Sequence, residues 1–251
     1  MSSYTEKFYK NSMIGVTAGV VETITLQPMI YWKNALQQGL RFTLNPRICY
    51  RGVNASMINM ATLTGIQIPL NDYISNNILT PNQKMLSSFY SGIVTGFICA
   101  PMELIMIQQQ KTGNNMYKTV KKIGRNNLMR GLITSCIREG LYTVGYLGIG
   151  PISSTYIQKK YNLTKNISDF CGATIASIIA STASHPIDTI KTCMQGDIKR
   201  EKYTTISETT KILIKENGIK RLFDGWNWRT SRMILSFFVL IQCKDRLSKW
   251  M

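Results

Sequence analysis

The sequence predicts an all-α membrane protein with six transmembrane helices, built as three two-helix units. Three observations carry this reading. Charge-free stretches of membrane-spanning length recur along the chain, a proline-centred motif occurs three times, and the basic residues alternate between two sides. The 251 residues hold 30 Lys+Arg against 13 Asp+Glu, a net charge of +17. A soluble domain this basic would usually bind nucleic acid. Here only 17% of residues are charged, against about 25% in soluble proteins, and they cluster between long uncharged runs. With no Arg/Lys stripe, zinc-finger spacing or RNA-recognition signature, a nucleic-acid polymer is not the expected partner. A mean hydropathy of −0.05 excludes a bundle of uniformly apolar spans. The expected spans are half apolar.

The first candidate span is 11–32, interrupted by Glu22. The next four, 53–71, 85–102, 140–158 and 170–187, carry no charge and are each 18 or 19 residues long. A spanning helix needs about 20 residues. The last, 230–243, is interrupted by Arg232. A soluble protein with buried helices would not produce such regular windows. Between the spans, segments 33–51, 111–130 and 191–221 hold 4, 6 and 8 basic residues. Segments 1–10, 72–84, 159–169 and 244–251 hold 2, 1, 3 and 3. The bias places both termini on the face opposite the richer side. Three arginines remain, Arg138, Arg229 and Arg232, inside or at the edge of spans. A charge at that depth costs at least about 2.5–3.5 kcal/mol, so such residues mark a water-filled pathway.

The repeat is explicit. Pro28, Pro101 and Pro186 each stand near the end of an odd span, and each is followed nine residues on by a glutamine, Gln37, Gln110 or Gln195. Downstream come Tyr50-Arg51-Gly52, Met129-Arg130-Gly131 and Phe223-Asp224-Gly225. Small residues precede each proline at helical spacing: Gly15 and Gly19, Ser88 and Gly92, Ala173 and Ser177. They allow close helix approach, while the prolines kink the odd helices so that three converge and close a barrel at one end.

These residues resemble the mitochondrial carrier family over nearly the whole chain. That family repeats Pro-x-Asp/Glu-x-x-Lys/Arg three times. The third copy is complete in Pro186, Asp188 and Lys191; the first keeps Pro28 and Lys33, the second Pro101 and Glu103. A Gly-x-x-x-x-aromatic-basic-Gly element is partly kept at 124–131 and 218–225. The resemblance implies three pseudo-symmetric carrier repeats, 1–80, 81–164 and 165–251, each with two spans and a short matrix helix. It implies a central cavity with alternating access.

The resemblance also assigns roles. Glu103 would pair with Lys191, and Asp188 with Lys33, to form a matrix gate. Gln37, Gln110 and Gln195 would brace it. The third bridge would join Ile30 and Met106, both apolar, so no charge is left unpaired. On the opposite side the family positions hold Asp72, Pro151 and Asp245, followed three residues later by Ser75, Ser154 and Ser248. With acids but no bases, that gate would depend on packing. Substrate contacts lie seven residues after each downstream glycine, at Asn59, Arg138 and Arg232. Arg138 is followed by Glu139; Arg229 lies one turn before Arg232; Tyr142 and Ser236 lie one turn beyond. Planar arginine forks suit carboxylate or phosphate. Glu139 would complement an amino group or neutralise Arg138, and Glu22 would bind a cationic group or a proton.

The six cysteines stand singly with no CxxC, and the lone histidine is His185. Neither a metal site nor a catalytic constellation is expected, and no cofactor. The basic 191–224 segment reads as a solvated amphipathic helix. Residues 1–10 lack the order of a secretory signal, so targeting is expected to be internal or absent. The expected function is that of a monomeric, multi-pass carrier of the mitochondrial inner membrane. It would move a small organic anion, carboxylate or amino-acid-like or nucleotide-like, with anionic lipids on its matrix side. The alternative is a non-transporting scaffold that keeps the fold. Abundant Asn, Ile and Lys suggest an AT-rich genome; in a parasite or virus the mitochondrion would be a host's.

Overall fold

The computed structural model describes residues 2–79 and 83–250, with side chains described except at 2–8, 11, 240–241 and 243–250. Among the described residues the chain is helical and has no strand. In order it forms α1 (Ser2–Gln37), α2 (Pro46–Cys49), α3 (Val53–Asn77), α4 (Lys84–Thr112), α5 (Met116–Ile123), α6 (Leu132–Thr143), α7 (Gly150–Tyr161), α8 (Lys165–Gly196), α9 (Ile206–Asn217) and α10 (Trp226–Trp250). A π-helical stretch, Val144–Ile149, joins α6 to α7.

Three helical stretches are long and apolar enough to cross a membrane: Ser12–Gln37, Lys84–Thr112 and Lys165–Gly196. They contain Pro28, Pro101 and Pro186. The other three expected spans fall short of that apolarity, for identifiable reasons. α3 carries Asn54, Ser56, Asn59, Thr64 and Gln67, most of them buried. The fourth is divided by its π turn, and α10 holds Asn227, Arg229 and Arg232. Polar side chains that face an interior cavity dilute a span's hydropathy.

Successive long helices pack side by side, α1 on α3, α3 on α4, α4 on α6, α6 and α7 on α8, α8 on α10, and α10 back on α1. Small residues permit this. A Cβ on Gly19 would stand 2.6 Å from Thr64 Oγ1, and one on Gly92 2.6 Å from Gly140 Cα. Ser88, Ala173 and Ser177 are likewise buried. The interior is rich in polar residues, while Val21, Ile24, Ile58, Phe97, Ile98, Ile133, Ile152, Ile178, Ile179 and Leu235 face outward. This distribution inverts that of a soluble protein.

At one end of the ring, α3, α6 and α10 each begin after a glycine in the left-handed region: Gly52, Gly131 and Gly225, with φ of 77, 76 and 81°. Only glycine adopts that conformation without steric cost. A Cβ at Gly52 would lie 3.2 Å from Met106 O on α4; one at Gly131, 3.3 Å from Gln195 Cγ on α8; one at Gly225, 3.2 Å from Lys33 O on α1. Each glycine thus rests on the proline helix of the following unit, and the third returns to the first.

The connectors differ from expectation. α9 has 12 residues and α5 has 8, but α2 is a single turn of 4. Residues 191–224 do not form one amphipathic helix. Lys191–Gly196 completes α8, and only Ile206–Asn217 is separate. The intervening turn is held by Asp197, whose carboxylate accepts backbone N–H bonds from Glu201, Lys202 and Tyr203 at 3.2, 2.8 and 2.9 Å. Arg130 donates to the carbonyls of Met194 and Tyr203. Cys49, Cys99 and Cys193 are buried and free; Cys136 and Cys171 are partly exposed.

Candidate functional site

A cavity opens between the proline helices and their partners, lined by Ser56, Asn59, Glu103, Glu139, Asp188 and Lys191 among others. α1 brings Lys33 to it, α4 brings Glu103, and α8 brings Asp188 and Lys191, which share a helix face three residues apart. Lys33 Nζ lies 2.8 Å from Asp188 Oδ2, and Lys191 Nζ lies 3.1 Å from Glu103 Oε2. Gln37 donates to Asp188 at 3.1 Å. The other two glutamines do not brace a bridge. Gln195 donates to the Arg130 carbonyl at 3.2 Å, and Gln110 accepts from Asn34 at 2.6 Å.

That Asn34–Gln110 bond lies one turn beyond Ile30 and Met106, which are buried together in one apolar cluster. The α1–α4 seam is therefore neutral throughout: apolar where a bridge would stand, amide to amide one turn on. The pair was missed because neither residue belongs to a charge motif. Its signal is the i+4 spacing of Asn34 from Ile30 and of Gln110 from Met106.

The cavity arginines divide in an unexpected way. Arg138 is ion-paired with both Glu103 and Glu139, and its Nε lies 3.7 Å from Asp188 Oδ1. It is a member of the charge network, not a free anion ligand. Arg232 bonds Glu22 Oε1 at 2.7 Å, so the buried Glu22 is occupied by a protein cation. Tyr142 is buried, its hydroxyl 3.2 Å from Ser236 Oγ and its ring edge-on to Phe237. Arg229 differs. Its Nη2 donates to Ser184 Oγ at 2.7 Å, while its buried Nη1 has no partner among the described residues. Ser184, unremarked in the sequence, orients it. Five bases, Lys33, Arg138, Lys191, Arg229 and Arg232, face four acids, Glu22, Glu103, Glu139 and Asp188, leaving one positive charge in excess.

The far end of the ring also departs from expectation. Asp72 is engaged in an interaction rather than free. Ser154 Oγ bonds Asp169 Oδ1 at 2.5 Å, replacing an ion pair with a hydroxyl–carboxylate contact between α7 and α8. The side chains of Asp245 and Ser248 lie outside the described residues. No group of three or more metal-ligating side chains occurs among the described residues.

Comparison with known proteins meets this geometry from the other direction. The family model described as mitochondrial carrier protein matches residues 163–251. Matches to whole carriers extend further. A mitochondrial glycine transporter of Laccaria bicolor is 24% identical over 88% of this chain and 91% of its own length. Mitochondrial substrate carrier family protein X of Dictyostelium discoideum is 24% identical over 86% and 83%. The chain is thus similar to mitochondrial carriers over most of its length, and to the family's model over its last third. Mitochondrial 2-oxodicarboxylate carrier 1 of Saccharomyces cerevisiae is also similar, 25% identical over 73% of this chain and 66% of that one. The third unit, where the family model matches, is also the one with the complete Pro186-Asp188-Lys191 motif. The first unit has a one-turn α2 and the apolar Ile30 at its acid position.

Proposed function

We propose that this chain is a multi-pass solute carrier of the mitochondrial inner membrane. It moves a small carboxylate-bearing solute by alternating access. In this reading six spans form three pseudo-symmetric repeats, 1–80, 81–164 and 165–251, acting as a monomer. The carrying observation is the buried cavity, with its excess positive charge, between three proline-containing helices. Buried charge is tolerated in a membrane protein where it lines a solute path. The apolar outward residues of α3, α6, α7 and α10 support the three spans whose composition alone is too polar. The Lys33–Asp188 and Lys191–Glu103 pairs support a gate at the basic end. Breaking and remaking such pairs supplies the two states that alternating access needs.

A scaffold that only keeps the fold would retain Arg138 and Arg232 for their ion pairs, so these two residues do not separate the readings. Arg229 does. A scaffold gains nothing from a buried guanidinium with an unfilled donor, which costs about 1–3 kcal/mol or more. The test is reconstitution of the full chain into liposomes and measurement of solute uptake against a preloaded pool. Accumulation or exchange above protein-free liposomes supports the carrier. Its absence for carboxylates, amino acids and nucleotides alike, from correctly folded protein, would leave the scaffold. Fractionation of expressing cells should place the protein in carbonate-resistant mitochondrial membranes.

A further inference from the structure

The groups left unpaired in the cavity describe what would fill it. Arg229, 4% exposed, offers Nη1 with no acceptor among the described residues. Among the described residues three cavity-lining carbonyl or carboxylate acceptors have no donor, Glu139 Oε1, Asn59 Oδ1 and Asn34 Oδ1, and the Ser56 hydroxyl beside them has no partner either. Each of the other cations has an ion-pair partner: Arg138 in Glu103 and Glu139, its Nε making no hydrogen bond but lying 3.7 Å from Asp188 Oδ1, Arg232 in Glu22, Lys33 in Asp188, and Lys191 in Glu103. Buried polar groups are almost always satisfied, so a complementary ligand brings one anion and several N–H donors.

We propose that Arg229 is the carboxylate anchor and that the solute is an amino acid, its ammonium group received by Glu139 and the cavity asparagines. The inference rests on the carrier reading above and narrows it. A carboxylate supplies what Arg229 Nη1 lacks, and a guanidinium fork suits it. An ammonium group supplies three N–H donors, as many as the free acceptors. A 2-oxodicarboxylate or a nucleotide phosphate group would set two or more negative charges against one spare cation. It would also press further lone pairs on acceptors that need donors. A simple monocarboxylate would satisfy Arg229 but leave all three acceptors unfilled. Arg138 is then a positioning residue. It holds Glu139 through Oε2 and leaves Oε1 for the solute.

The test uses the full chain in liposomes with four labelled probes: glycine, glycolate, 2-oxoglutarate and ATP. Glycine and glycolate differ only in ammonium against hydroxyl. Glycine uptake should exceed that of each other probe at least tenfold. Arg229→Gln should lower glycine uptake at least tenfold, with Arg229→Lys recovering part of it. Thermal unfolding of each variant reports folding, and the probe selectivity of the unaltered chain decides the matter if Arg229→Gln does not fold. Glycolate, 2-oxoglutarate or ATP taken up as well as glycine would overturn the inference while leaving the carrier intact. So would wild-type glycine uptake by Arg229→Gln. No uptake of any probe by well-folded protein would overturn the carrier reading and this inference with it.

Discussion

Arg138 holds two carboxylates that have little else. Glu139 depends on it for its only ion pair among the described residues, and Glu103 shares it with Lys191. Removing one partner of a buried charge cluster costs about 3–5 kcal/mol, because the remaining charge stays buried. Arg138→Ala should therefore lower the thermal unfolding midpoint in detergent as well as abolish uptake. An unchanged midpoint with lost uptake would return Arg138 to pure solute binding. At this scale the motif residues were legible. Pro-x-acid-x-x-base fixes which helix face carries Asp188 and Lys191, and the threefold register names their partners. The pairing of the even-helix arginines was not. Whether Arg138 meets solute or Glu103 depends on how closely α4 and α6 approach, which the one-dimensional pattern does not encode. Arg229 was placed in the cavity by its spacing, but its isolation follows only from the neighbours of the other arginines.

The neutral α1–α4 seam is an element-scale feature with an element-scale test. Ile30→Glu or Met106→Lys alone buries an uncompensated charge and should destabilise the protein. The two together restore an ion pair, so the double-mutant cycle should show favourable coupling of about 0.5–3 kcal/mol, measured by thermal unfolding. Purely additive effects would mean the two side chains do not meet. A second element, the 197–203 turn, is set by one carboxylate. Burial alone would raise the Asp197 carboxyl. The backbone N–H groups of Tyr203, Lys202 and Glu201, with Arg130 nearby, outweigh burial and hold it below the usual range. A depressed folded value means the turn is stabilised above the unfolded value of about 3.9 and loses that stability as pH falls through the folded value. At neutral pH the turn is fully supported, and Asp197→Ala should remove the support. Hydrogen exchange of the 201–203 amides at pH 7 should then accelerate; unchanged protection would mean the turn is held by its flanking helices. The odd helices were legible from length and apolarity. The single turn of α2 and the π stretch between α6 and α7 were not, since both depend on how connectors and neighbouring helices pack.

For the whole molecule the balance of its two ends sets the resting state. The basic end holds Lys33–Asp188, Lys191–Glu103 and the Gln37 bond to Asp188. The other end has the Ser154–Asp169 contact and an engaged Asp72. Hydrogen bonds to charged groups contribute about 1.5–3 kcal/mol each, and a bias of about 2.7 kcal/mol is roughly a hundredfold in population. On the proposed function, the protein should rest closed at its basic end, the expected matrix side. With native cysteines removed and a cysteine at Asn59, an impermeant thiol reagent should label it from the cytoplasmic side and not from the matrix side. Equal labelling from both sides would show that these contacts do not set the resting conformation.

The glycines that open α3, α6 and α10 bear on how such a gate can move. Each lies beneath the helix of the unit that follows, and all three overlaps run the same way round. Overlapping plates arranged in this way behave like the leaves of an iris diaphragm. No leaf can lift while the next still covers it, and the last covers the first. A closure built on this plan has no first leaf. Its opening is a single concerted turn shared by all three units, however unequal the bonds that hold them.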